Sequence, residues 1–215
     1  MEIQERIITE AGALFARYGI RSITMDFLAE QMGISKRTIY ENFSDKETLL
    51  KEIILRFKKR QVREAQQIIT DSENIIEAMF TLLQRMVNTM KNVNPLFFQD
   101  IKRYHADLFR QMQEKGDLRD HSITGNILDE GVRQGILRSD LNRELVNLAI
   151  HELFNMFRPD STLTSVGYDR AEMFDNIVIP YLIGISTEEG RQLIEKHRCM
   201  ETGASKQMQK ENRID

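Results

Sequence analysis

The chain has 215 residues, 41% of them apolar and 29% charged, with a net charge of −3. These values suit a folded globular chain and exclude a low-complexity polymer. The absence of any apolar run near the ~18 residues of a membrane span, and of an apolar stretch behind Glu2 and Glu5, predicts a cytoplasmic protein with no membrane partner. The charge is uneven: residues 1–60 carry a net +2 and the remainder −5, so the first 60 are better suited to approach phosphates.

Helical periodicity dominates from end to end, which predicts an all-α fold. The first helix is expected over Glu2 to Tyr18, with Ile3, Ile7, Ala11, Leu14 and Tyr18 on one face and Ile8 and Phe15 widening it. Gly19 ends it. Thr24 can cap a second helix, with Asp26 in its first turn and a buried stripe of Met25, Leu28, Ala29 and Met32. Gly33 closes that helix in a tight turn. Ser35 caps a short third helix from Lys36 to Glu41, anchored by Ile34, Ile39 and Phe43. Ser44-Asp45-Lys46-Glu47 reads as a capping box for a fourth helix, in which Leu50, Ile53, Ile54 and Phe57 follow at helical spacing. That helix runs to about Thr70, and its basic stretch Arg56 to Arg60 reads as a solvated face.

A boundary near Asp71-Ser72 opens a second part, with helices at about 73–92, 95–115, 121–135, 143–158, 168–185 and 187–198. Asn94-Pro95 is a cap followed by a first-turn proline. Pro180 falls inside an apolar helical pattern and is expected to kink it. Glu201 to Asp215 lacks periodicity and is expected to be disordered. The domain division is therefore 1–60, 61–200 and a tail at 201–215.

Two short helices joined by Met32-Gly33-Ile34-Ser35 make a helix-turn-helix, whose second helix enters the major groove of double-stranded DNA. With Ile39 and Phe43 turned inward, Lys36, Arg37, Thr38 and Tyr40 remain on the outer side. Cations, a hydroxyl and a phenol suit phosphate oxygens and base edges. Ser35 offers helix-start amides to a phosphate, and Lys46 stands beside the start of the fourth helix.

From Ile8 to Leu50 the sequence resembles the N-terminal domain of the TetR family of bacterial transcriptional regulators. The matching residues are Ala11, Leu14-Phe15, Gly19, Thr24, Leu28-Ala29, Gly33-Ile34-Ser35, Ile39-Tyr40, Phe43, Lys46 and Leu49-Leu50. The resemblance covers about the first quarter of the chain. It implies that Thr24, Tyr40 and Lys46 grip phosphates while Lys36, Arg37 and Thr38 face the groove. Asn42 stands where the family often has histidine, so its contact is expected to be altered and not lost. Phe27 and Leu28 also depart from the usual residues, as packing changes.

One short recognition helix buries little surface, and a homodimer reading a palindromic operator solves this with recognition helices about 34–36 Å apart. Leu145, Leu148, Ala149, Leu153 and Phe157 form one apolar stripe, and Phe174, Ile177, Val178, Tyr181, Leu182 and Ile185 form the next. The resemblance implies that these two helices pair with their symmetry mates. It also implies an unidentified small-molecule ligand, an inducer held among Met79, Met86, Met90, Phe97 and Phe98, with Tyr104, His105 and His151 as polar candidates. Methionine and phenylalanine at helical spacing are more usually core. The expected function is thus a repressor released by a small apolar ligand. The alternative is an activator or repressor controlled without one. No cofactor or metal is expected, since His197 and Cys199 are too few ligands. The lone Cys199 forms no internal disulfide, in keeping with a reducing compartment. No constellation of catalytic residues supports an enzyme.

Overall fold

The computed structural model describes residues 2–114 and 122–198. The expected helix boundaries at 115 and 121, Cys199 and the tail at 201–215 lie outside the described residues. The rest is helical, with one isolated bridge between Leu137 and Ser186 and no strand among the described residues. The helices are α1 Ile3–Tyr18, α2 Met25–Met32, α3 Lys36–Asn42, α4 Lys46–Asp71, α5 Ile75–Lys91, α6 Pro95–Tyr104 and α7 Ala106–Glu114. They continue as α8 Ser122–Arg133, α9 Arg143–Asn155, α10 Thr162–Val166, α11 Arg170–Met173, a π-helical turn Phe174–Val178, α12 Ile179–Ile185 and α13 at 188–198. No helix among the described residues is long and apolar enough to cross a membrane.

Two compact units result. The first comprises residues 2–65, 86–114 and 157–166. Its core joins Ile7, Ala11 and Phe15 of α1 to Leu28, Ile39, Phe43, Leu49 and Leu50, with Ile101, Leu108 and Met112 from α6 and α7. The stripe of α1 is narrower than its periodicity suggests. Ile7, Ile8, Ala11 and Phe15 are buried, while Ile3 and Tyr18 stand 38% and 43% exposed. These two sit in the first and last turns, beyond the reach of the core.

Gly19 has φ 82°, and a side chain there would meet Asp100 and the Cβ of Leu96 at 3.0 Å. Glycine is therefore required twice, by the positive φ and by the close approach of α6. Asn94 locks the same corner. Its backbone N–H donates to the Ala16 carbonyl at 2.8 Å, and its Nδ2 donates to the Arg17 carbonyl at 3.1 Å. Its Oδ1 accepts from the Leu96 amide at 2.9 Å, so one side chain serves the end of α1 and the start of α6.

The second unit comprises residues 66–85, 122–156 and 167–198. Phe80 packs edge-on against Phe174 at 5.5 Å and stacks on His197 at 4.2 Å. The Arg138 amide donates to the Ile185 carbonyl, and the Thr187 amide to the Ile136 carbonyl, tying the loop after α8 to the end of α12.

Four boundaries differ from the periodicity. The helix expected at 95–115 is broken at His105, whose φ of −128° ends α6. The stripe at 143–158 stops at Asn155, and Phe157 lies beyond the helix and fully buried. The short helix α10 lies between the helices expected at 143–158 and 168–185, where periodicity assigns no element. The span expected at 168–185 accommodates Pro180 through the π turn at Phe174–Val178, one turn upstream. Proline lacks an N–H, and a locally widened turn is one way a helix absorbs the missing bond.

Candidate nucleic-acid interface

Three local devices set the geometry of α2 and α3. Thr24 Oγ1 accepts from the Phe27 amide at 3.0 Å and caps α2. Gly33 takes the left-handed conformation, φ 62° and ψ 34°, and its N–H returns to the carbonyls of Ala29 and Glu30. Ser35 Oγ then accepts from the Thr38 amide at 3.0 Å and caps α3. Arg6 of α1 adds a brace, donating from Nη2 to the Met32 carbonyl at 2.8 Å. The next cap sits one residue later than the sequence suggests. Asp45, and not Ser44, caps α4, accepting from the Thr48 amide at 2.7 Å while the Ser44 hydroxyl donates to its other oxygen. These hydrogen bonds, the Thr48 amide foremost, hold the Asp45 carboxyl below its ordinary value.

The seven residues of α3 divide cleanly. Ile39 is fully buried, and Lys36, Arg37 and Tyr40 are exposed, Tyr40 by 50%. Thr38 is half-buried, with its hydroxyl 2.8 Å from that of Ser35. Asn42 donates from Nδ2 to the Thr38 carbonyl at 2.8 Å, which commits its donor to its own helix. Lys46 is half-buried, its Nζ 5.9 Å from the centre of the Phe15 ring. Burial lowers its pKa, and the nearby Asp100 carboxylate opposes that shift. The outer cations have carboxylate partners. Lys36 pairs with Asp26, and Arg37 Nε donates to Glu41 Oε1 at 2.7 Å. A groove of about 480 Å³ lies beside them, lined by Thr24, Asp26, Phe27, Ala29, Glu30, Ile34 and Lys36.

Several residues at this head escaped the sequence reading. Asp100 of α6 is only 8% exposed and accepts from the Arg21 amide at 2.7 Å. Arg21 also donates from Nη1 to the Tyr104 hydroxyl at 2.6 Å and lies 4.8 Å over the same ring. By sequence Asp26 and Glu41 are only helix residues, and the structure makes them partners of Lys36 and Arg37. Inward i, i+3, i+4 spacing places Asp100 beside Phe97 and Ile101, and this was the available signal.

The eight residues considered for a ligand pocket are distributed over both units. Met79 is buried in the second unit, where His151 Nε2 lies 3.1 Å from the Thr124 hydroxyl. Thr124 also donates to Asn147 Oδ1. Met86 and Met90 are half-buried in the first unit. Phe97 and Phe98 meet edge-on at 5.4 Å, and Arg158 lies 4.3 Å over the Phe98 ring. Tyr104 is engaged by Arg21, and His105 Nδ1 is buried without a hydrogen-bond partner among the described residues. Burial lowers the His105 pKa; Lys46 adds to this, while Glu47 and Asp100 oppose it. Among the described residues no group of three or more His, Cys, Asp or Glu could hold a metal ion.

An all-helical chain whose two short capped helices turn about a left-handed glycine, with cations, a hydroxyl and a phenol outward, is a DNA-binding transcriptional regulator of the helix-turn-helix class. Comparison with known proteins narrows the class. Residues 7–53 match the family model of bacterial regulatory proteins, tetR family. The chain is 26% identical over 193 residues to YvaF, an uncharacterised HTH-type transcriptional regulator of Bacillus subtilis, spanning 87% of this chain and 97% of that one. It is 26% identical over 139 residues to the HTH-type transcriptional repressor KstR2 of Rhodococcus jostii, spanning 63% and 68%. The crystal structure of a TetR-family regulator from Marinobacter aquaeolei superimposes with a TM-score of 0.67 at 18% identity, covering 92% of this chain and 98% of that one. The family match is thus to residues 7–53, and similarity to HTH-type transcriptional regulators extends along most of the chain.

Proposed function

We propose that the protein is a homodimeric repressor released from a palindromic operator by a small apolar ligand. The observation that carries the DNA-binding part is the division of α3, with Ile39 sealed in the core and Lys36, Arg37 and Tyr40 outside. Lys36, Arg37 and Thr38 face base edges in this reading. Thr24, Ser35, Tyr40, Asn42 and Lys46 meet the backbone, Asn42 through the oxygen its helix bond leaves free. The functional head is residues 1–60, and α4 links it to a regulatory part over 61–200.

Dimerisation is supported by α9, where Leu145 is 65% and Leu148 47% exposed although both are apolar. Repression is supported by the similarity to a named repressor. A ligand shifts DNA affinity only by binding the released state better than the DNA-bound one. A second reading, control without a small molecule, is favoured by the engagement of Tyr104 with Arg21, which occupies one pocket candidate.

The test is fluorescence anisotropy on duplexes from the protein's own upstream region. The double variant Tyr40→Phe with Lys46→Ala is expected to lose at least tenfold in DNA affinity, at unchanged dimerisation, as two phosphate contacts are removed. Unchanged affinity would sink the site assignment. Saturable uptake of an apolar fluorescent dye that weakens DNA binding separates the two modes of control.

A further inference from the structure

The outer face of α3 carries two cations and, within contact of each, a carboxylate. Lys36 Nζ pairs with Asp26 of α2, and Arg37 Nε with Glu41 one turn further along α3. All four side chains are more than half exposed, so these pairs belong to the surface that would meet DNA and add nothing to the core. Glu30 lines the same groove as Asp26 and Lys36, adding another negative group. The face is therefore close to neutral, although its α3 residues alone read as basic.

We propose that Asp26 and Glu41 are specificity-determining residues, which hold Lys36 and Arg37 off random phosphate and release them where a matching base edge takes their place. The proposal rests on the reading that α3 meets DNA. An exposed ion pair adds little stability, so DNA breaks it easily, but only where a contact of comparable quality replaces it. A random phosphate also brings its charge toward the carboxylate, and that repulsion opposes non-specific binding. At a matching site the cation gains a bidentate base contact, and a carboxylate can itself accept the cytosine amino group. Carboxylates at this position thus lower affinity for all DNA while lowering it least for the preferred sequence.

The experiment uses the full chain and two duplexes of equal length, one selected by the wild-type protein from a random pool and one of random sequence. Asp26→Asn and Glu41→Gln are each expected to tighten binding to the random duplex about twofold to fivefold and to change binding to the selected duplex less. For the random duplex, the slope of log affinity against log salt is expected to steepen by about 0.9 for each cation released. Adding Lys36→Ala to Asp26→Asn removes that gain. Equal changes on both duplexes, or none, overturn the proposal while leaving the helix-turn-helix reading intact. If Lys36→Ala and Arg37→Ala alone change neither affinity, the reading fails and the proposal with it. Circular dichroism melting of each variant excludes loss of fold as the cause.

Discussion

His105 shows how one residue can differ from its expected use. A candidate polar group for a ligand by sequence, it ends α6 with Nδ1 buried and without a hydrogen-bond partner among the described residues. Burial, reinforced by Lys46, lowers its pKa from 6.5 against the pull of Glu47 and Asp100. As pH falls through 6.5 and below, the unfolded chain therefore takes the proton before the folded one does. The stability contributed by neutral His105 is present above that range and lost on acidification. Melting temperature is accordingly expected to fall between about pH 7 and pH 5, and to fall less in His105→Gln. Equal slopes in the two proteins would contradict the assignment. Asp45 follows the same sign in a more acid range, because its capping bonds favour the ionised form.

At the scale of elements, Asn94 joins two helix ends through a single side chain. Asn94→Ala removes the cap of α6 and a donor to the Arg17 carbonyl, but keeps the backbone bond to Ala16. The expected cost is about 1–2 kcal/mol, read from urea unfolding, with the denaturant slope unchanged. A neutral result would mean that water replaces both bonds. Half of this arrangement was legible: Asn94-Pro95 signals a helix start, but nothing local announces that the same amide reaches α1, 77 residues back. The helix-turn-helix was readable almost entirely, because Thr24, Gly33 and Ser35 act through bonds no more than four residues long. Ser44 and Asp45 are both good caps, and periodicity could not rank them. The break at His105 has neither glycine nor proline to mark it, and the buried charge of Asp100 is balanced by an amide 79 residues away. Such features depend on packing between distant segments and leave no periodic trace.

For the whole molecule, the first unit shows why a short recognition helix can be rigid. The core that holds Ile39 and Phe43 includes residues from α1, α4, α6 and α7, so α3 is braced by elements outside the first 60 residues. A helix so held presents its outer residues in one arrangement, which lowers the entropy lost on binding. Two copies, joined in the proposed dimer through the exposed Leu145 and Leu148, would present that arrangement twice. In the proposed function, α2, the Gly33 turn and α3 read DNA sequence. Its most direct test is selection of bound duplexes from a random pool by the full-length protein, followed by sequencing. The expected result is an enriched palindrome whose half-sites are centred about one helical turn apart, or a small multiple of it, with enrichment lost in Arg37→Ala. Recovery of the starting pool without enrichment, or the same motif from the variant, would contradict it.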